Sequence, residues 1–141
     1  MPALRRSGVR DAAVLLLMGF LDLLVWSALR GIGYRRVSSV VDRVPTILRL
    51  REPDRFVRRC VWGVSAARRR LPTPGTCLSR SVLLKALLRL VGLRGTVRFG
   101  VRSGAAVGLD AHAWLELDGR PLNDHPDVAT DYLTLDPIPP A

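Results

Sequence analysis

A chain of 141 residues, 48% hydrophobic and 24% charged, is long enough for one domain with a real core, and its composition excludes a disordered or low-complexity chain. Its net charge of +10 comes almost wholly from arginine, Lys85 being the only lysine, which suits an acidic peptide, an acidic protein face, an anionic membrane or nucleic acid. Two cysteines, Cys60 and Cys77, and two histidines, His112 and His125, are too few for a disulfide framework or a structural zinc site, and they fit a reducing cytoplasmic setting.

The segment DAAVLLLMGFLDLLVWSAL follows Arg5, Arg6 and Arg10, as in a signal peptide or an anchor. Asp11 and Asp22, however, bracket an uninterrupted apolar run of only about ten residues, short of the ~20 a spanning helix needs, and no small-x-small cleavage site follows. Residues 11–30 therefore read as a helix apolar on most faces, packed on its own domain or on a partner, with contact to a membrane surface as the other option. Residues 37–50 suggest a short second helix interrupted by Pro45. Asp54 to Arg69 predicts a third, with Phe56, Val57, Cys60, Val61 and Val64 at helical spacing and arginines on the other side. LPTPGT, residues 71–76, breaks the chain and offers Thr76 as the N-cap of a helix running from Cys77 to near Gly92.

After Gly95 the hydrophobic period changes from helical to two. TVRFGVR alternates, with Val97, Phe99 and Val101 on one face, and reads as a strand. SGAAVG is a loop, AHAWLEL a second strand, DG a tight turn, RPLND a short return strand, YLTLD a last edge strand and PIPPA an exposed tail. Helices first and a small antiparallel sheet after them make an α+β fold. The expected division is an N-terminal hydrophobic helical region over residues 1–50, packed on the core or a partner, and a core over residues 51–141.

The chemistry gathers around Cys77. A helix start has unpaired N–H groups and the positive end of the macrodipole, which favour a thiolate over a thiol. Taken alone, a cysteine there is more often a small core residue; His112, in the AHAWLEL strand, makes a Cys–His pair in which imidazole takes the thiol proton. A third group must then orient the ring, and the hairpin register decides which. A two-residue Asp118-Gly119 turn pairs Glu116 with Pro121, and it puts Asn123 on the histidine's face and Asp124 on the other. A three-residue loop, with Gly119 left-handed in a G1 bulge, pairs Glu116 with Arg120 as an ion pair and sets Asp124 opposite His112. The second register is favoured, giving Asp124 as orienter, Asn123 as runner-up and Asp136 as a weaker third candidate.

CLSRSVLLKALLRLVGL, a strand, and then AHAWLELDGRPLND resemble the transglutaminase-like cysteine peptidase family, in particular the lasso-peptide leader peptidases. The resemblance covers residues 54–124, and AHAWLELDGRP is its most specific piece. It implies a transglutaminase/papain-like core with Cys77 as nucleophile, His112 as general base and acid, and Asp124 as orienter. It also implies an activity: removal of the leader from a ribosomally made precursor peptide, before a separate ATP-dependent cyclase closes the macrolactam ring. No cofactor is implied. Some family members carry a leader-recognition domain fused at the N-terminus; here the cysteine helix is reached after 76 residues that read as helices, so a separate recognition protein is expected.

Trp114 reads as core or pocket wall, His125 as a solvated turn residue and Cys60 as a buried apolar position. The arginine clusters around residues 51–59 and 68–70 read as solvated faces or as docking surfaces for an acidic leader, a recognition protein or the cyclase. Two other functions fit the same residues. One is a transglutaminase-type acyl transfer to an amine. The other is a basic binding module for nucleic acid or anionic membrane; no nucleic-acid motif is present and aromatic residues are few, so no nucleic-acid partner is expected.

Overall fold

Four helices come first and the strands after them. The computed structural model describes residues 3–104 and 108–135, so Asp136, the PIPPA tail and the centre of the SGAAVG loop lie outside the described residues. Helix α1 spans Ala3–Ile32, α2 Tyr34–Asp42, α3 Pro53–Arg70 and α4 Cys77–Leu90. Strand β1 spans Thr96–Gly104, β2 Gly108–Leu117 and β3 Arg120–Pro121; a four-residue helix α5, Val128–Asp131, precedes β4, Leu133–Leu135. The sheet is antiparallel in the order β3-β2-β1-β4. This is the expected α+β architecture.

The inner face of α1 buries Leu15, Met18 and Asp22 against α3 and α4, with Val14, Leu21, Val25 and Ala28 partly covered beside them. Leu16, Leu17, Phe20 and Leu24 on its outer face are exposed. By length and composition alone, Gly8–Ile32 is apolar enough to cross a membrane. The helix expected to run to Leu50 stops at Asp42, because Pro45 has no N–H and disfavours a helical Val44. The irregular stretch that follows is tied to the end of α4, where the Ile47 and Leu48 N–H groups both donate to the Leu90 carbonyl at 3.0 and 2.9 Å. The only lysine, Lys85, lies on α4 with its Nζ 2.7 Å from Asp42 and 3.3 Å from Ser38 Oγ, its side chain only 12% exposed.

One face of the sheet, carrying Val97, Ala113 and Leu115, closes the core against Val82, Leu84 and Leu88 of α4. On the other face, residues paired across β1 and β2 stand together: Arg98 with Trp114, Gly100 with His112, Arg102 with Asp110. Tyr132 crosses that face, and a Cβ added to Gly100 would meet it at 2.6 Å and the Trp114 ring at 3.0 Å. Trp114 is fully buried, as is Val128 of α5, a helix the sequence reading did not anticipate.

The hairpin corrects the favoured register. Glu116 pairs with Pro121 and Leu117 with Arg120, across a two-residue turn in which Asp118 and Gly119 have φ of 51° and 76°. Such a turn follows the right-handed twist of the strands and needs no bulge. The expected Glu116–Arg120 ion pair is worth only tenths of a kcal/mol on a surface, roughly 0.2–1 kcal/mol. Glu116 instead accepts from Trp114 Nε1 at 2.9 Å and from Arg98 Nε at 3.1 Å.

Candidate active site

Pro121 has no N–H to give, and the return strand ends there rather than at Asp124. The Leu122 N–H still donates to the Leu115 carbonyl at 2.8 Å, but the next ladder position is filled by a side chain: Asn123 Oδ1 accepts the Leu115 N–H at 2.8 Å. The main chain is thereby released from the sheet, and Asp124 turns back onto β2, where its Oδ2 takes a hydrogen bond from His112 Nε2. Asp124 thus lies on His112, as expected, by a route the register argument did not contain.

With β3 ended, the free edge of β2 admits the start of α4. Asn123 Nδ2 donates to Ser81 Oγ at 3.0 Å, and that hydroxyl lies 2.8 Å from the Cys77 carbonyl and 3.3 Å from the Ala113 carbonyl. One buried serine therefore holds the first turn of α4 against the residue next to His112. Cys77 is the first residue of the helix and partly buried. Thr76 caps the helix reciprocally, its Oγ1 accepting from the Ser79 N–H at 3.2 Å while the Thr76 N–H donates to Ser79 Oγ at 2.9 Å.

Beneath the cap lies Asp22 of α1, 4% exposed, whose Oδ1 accepts from Ser79 Oγ at 2.6 Å. Its carboxyl packs against Gly75 so closely that a Cβ there would fall 1.7 Å from Oδ2. In the sequence Asp22 stood out only as an interruption of an apolar run; it is the polar contact by which α1 grips the first turn of α4, while its carboxyl packs on the loop before Cys77.

Burial alone would push the Asp124 carboxyl up; hydrogen bonds from His112, the His125 N–H and the His125 ring outweigh it and hold the group below its ordinary range. His125 is exposed, yet it is more than a solvated turn residue. Its Nδ1 lies 2.7 Å from Asp124 and its Nε2 2.7 Å from Asp131, and these two carboxylates, Asp131 first, raise its pKa. The ring of His112 stacks at 6.0 Å on Trp114 and lies 5.2 Å from Tyr132. With Nε2 committed to Asp124, Nδ1 is the nitrogen left to exchange a proton. Cys60, buried in α3, has its thiol pushed up to about 11 by burial, and the two cysteines are unpaired. Among the described residues, no group of three or more His, Cys, Asp or Glu could hold a metal ion.

A family model described as the transglutaminase-like superfamily matches residues 21–135. The chain belongs to this superfamily. No curated protein and no solved structure matches it. Transglutaminase-like enzymes are in general cysteine peptidases or acyl transferases, both of which work through a thioester. The matched span begins inside α1, so it includes Asp22 together with Cys77, His112 and Asp124.

Proposed function

We propose that the chain is a cysteine peptidase with Cys77 as nucleophile, His112 as general base and acid, and Asp124 as orienter. It would remove the leader from a ribosomally synthesised lasso precursor before a separate ATP-dependent cyclase closes the macrolactam. The observation that carries the reading is the His112 Nε2–Asp124 hydrogen bond beside a helix start that bears a cysteine. Asp124 fixes the tautomer with the proton on Nε2, so Nδ1 receives the Cys77 proton. The thiolate attacks the scissile carbonyl, imidazolium protonates the departing amine, and a thioester remains. His112 then takes a proton from water, whose oxygen attacks the thioester and releases the acid and the thiol. The Cys77 N–H, first in α4 and without a partner one turn back, is the proposed oxyanion donor.

The partners of this reading are the leader, a stand-alone leader-recognition protein and the cyclase, in the cytoplasm, with the exposed face of α1 against a partner or a membrane surface. Acyl transfer to an amine would use the same thioester, so the acceptor alone separates the two reactions. The test is to incubate the protein with a precursor peptide and its recognition protein and to follow masses. A leader-sized fragment from wild type, absent with Cys77→Ala and much reduced with Asp124→Asn, supports the peptidase. Addition of an amine to the substrate assigns acyl transfer, and turnover that survives Cys77→Ala sinks both.

A further inference from the structure

A cavity of about 420 Å³ opens between the C-terminal half of α3, the first turns of α4 and the segment after β3, lined by Val64, Ser65, Arg68, Arg69, Arg80 and Asn123. Three of the six lining side chains are guanidinium groups from two helices. Among the described residues, no carboxylate lies within ion-pair distance of Arg68, Arg69 or Arg80.

Arg68 and Arg69 stand in the last turn of α3, where a cation suits the negative end of the helix, and that role alone would account for them. It does not account for Arg80. This residue sits near the start of α4 and reaches backwards, donating from Nη1 to the Gly75 carbonyl at 3.3 Å, so its charge lies at the positive end of the dipole. Burial, and then the charge of Arg68, pull its pKa below the ordinary range against the opposing influence of Asp22 and Cys77. Asp22 Oδ1 is already held by Ser79. Each of these costs falls when an anion enters the cavity.

Two of the lining residues also stand close to the proposed site along the chain, and Cys77 is near enough to Arg80 to influence its charge. Arg80 lies three residues beyond Cys77 on the same face of α4, and Asn123 is the residue before Asp124. We propose that this cavity is a substrate subsite for a carboxylate, so that the enzyme prefers peptides with an acidic residue, or their own free C-terminus, within a few residues of the scissile bond. The assignment of a substrate to the subsite rests on the peptidase reading above, whereas the anion site itself does not.

Two measurements on the full chain separate them. In the first, Cys77 is alkylated with iodoacetate and with iodoacetamide; the thiolate displaces iodide in both, but only iodoacetate carries a carboxylate. Mass spectrometry reads the rates at Cys77, apart from buried Cys60. The ratio of iodoacetate to iodoacetamide rates should fall about two- to five-fold in Arg80→Gln and in Arg68→Gln, and stay at the wild-type value in the exposed Arg94→Gln. In the second, degenerate peptide libraries, N-acetylated with either amidated or free C-termini, are digested and the cleaved positions sequenced.

Enrichment of Asp and Glu beside the cut in the amidated library assigns the subsite to acidic side chains; enrichment confined to free-ended peptides assigns it to the chain terminus. No cleavage of either library, nor of a precursor presented with its recognition protein, with the ratio falling as stated, overturns the peptidase reading and leaves the carboxylate site standing. A ratio that moves in neither arginine variant overturns the site, whatever the libraries yield.

Discussion

Gly75 has no room for a methyl group, and the reason is a single side chain. A Cβ built there lies 1.7 Å from Asp22 Oδ2, 2.6 Å from its Cγ and 2.9 Å from its Oδ1. The backbone of Gly75 is not left-handed, so alanine is conformationally acceptable and the clash is purely steric. To admit it, Asp22 must leave its buried site and release the 2.6 Å bond from Ser79 Oγ, or the loop before Cys77 must move. A buried polar group stripped of its partner costs about 1–3 kcal/mol and overpacking about 1–3 kcal/mol, so Gly75→Ala should cost roughly 2–6 kcal/mol. For a chain of this length that is a fall in Tm of roughly 5–15 °C. The assay is urea and thermal unfolding of wild type, Gly75→Ala, Asp22→Ala and the double variant. Asp22→Ala alone should cost about 1–3 kcal/mol. In its background Gly75→Ala should be neutral, or stabilising by about 0.4–1 kcal/mol through the unfolded chain. If Gly75→Ala stays within about 0.5 kcal/mol of wild type, or if the two losses add, the packing argument is wrong.

The remaining predictions concern the sheet edge, the two histidines and the core. Asn123→Ala removes the partner of the Leu115 N–H and of Ser81, and should lower stability by about 1–3 kcal/mol, with faster amide exchange at Leu115 as the diagnostic. Because the Asp124 pKa is lowered in the fold, its contribution is present above the ordinary carboxyl range and disappears as pH falls through the folded value. The stability gap between wild type and Asp124→Asn, from urea melts, should therefore close as pH falls into the acid range. His125 behaves oppositely, its pKa being raised by Asp131 and Asp124. Its contribution is fully present below the ordinary value of 6.5 and lost as pH rises through the higher folded value, so the gap to His125→Gln should shrink with rising pH. Leu88, 1% exposed between α4 and the sheet, should cost about 2–5 kcal/mol when cut to alanine.

Periodicity carried the reading where burial is one-sided. The third helix repeats at helical spacing, and TVRFGVR and AHAWLEL alternate, because each lays one face on the core, although Trp114 on the opposite face of the sheet is buried as well. Thr76 announced the start of α4 because a cap is a local device. The hairpin register resisted because the two alternatives differ by tenths of a kcal/mol in their visible local terms. What engages Glu116 instead of Arg120 is Trp114, two residues along its own strand, and Arg98, a partner that only the assembled sheet supplies. Asn123 was weighed as a partner for the His112 ring, whereas its amide takes the place of a strand, a role with no sequence signature. Asp22, Ser79 and Gly75 meet across more than fifty residues of chain, and no spacing rule joins them. The cue that existed was chemical: one acidic residue in an apolar run is costly unless something receives it.

The near-absence of lysine has a consequence for the proposed thioester chemistry. Arginine carries almost all of the positive charge, and a guanidinium is too weakly nucleophilic at neutral pH to open a thioester. The one primary amine among the side chains, Lys85, is 12% exposed and ion-paired to Asp42. The proposed acyl intermediate on Cys77 would therefore find almost no lysine acceptor on the chain itself. Copies of it will not crosslink to one another through lysine side chains, and amine-directed labels will leave this strongly basic surface nearly unmarked.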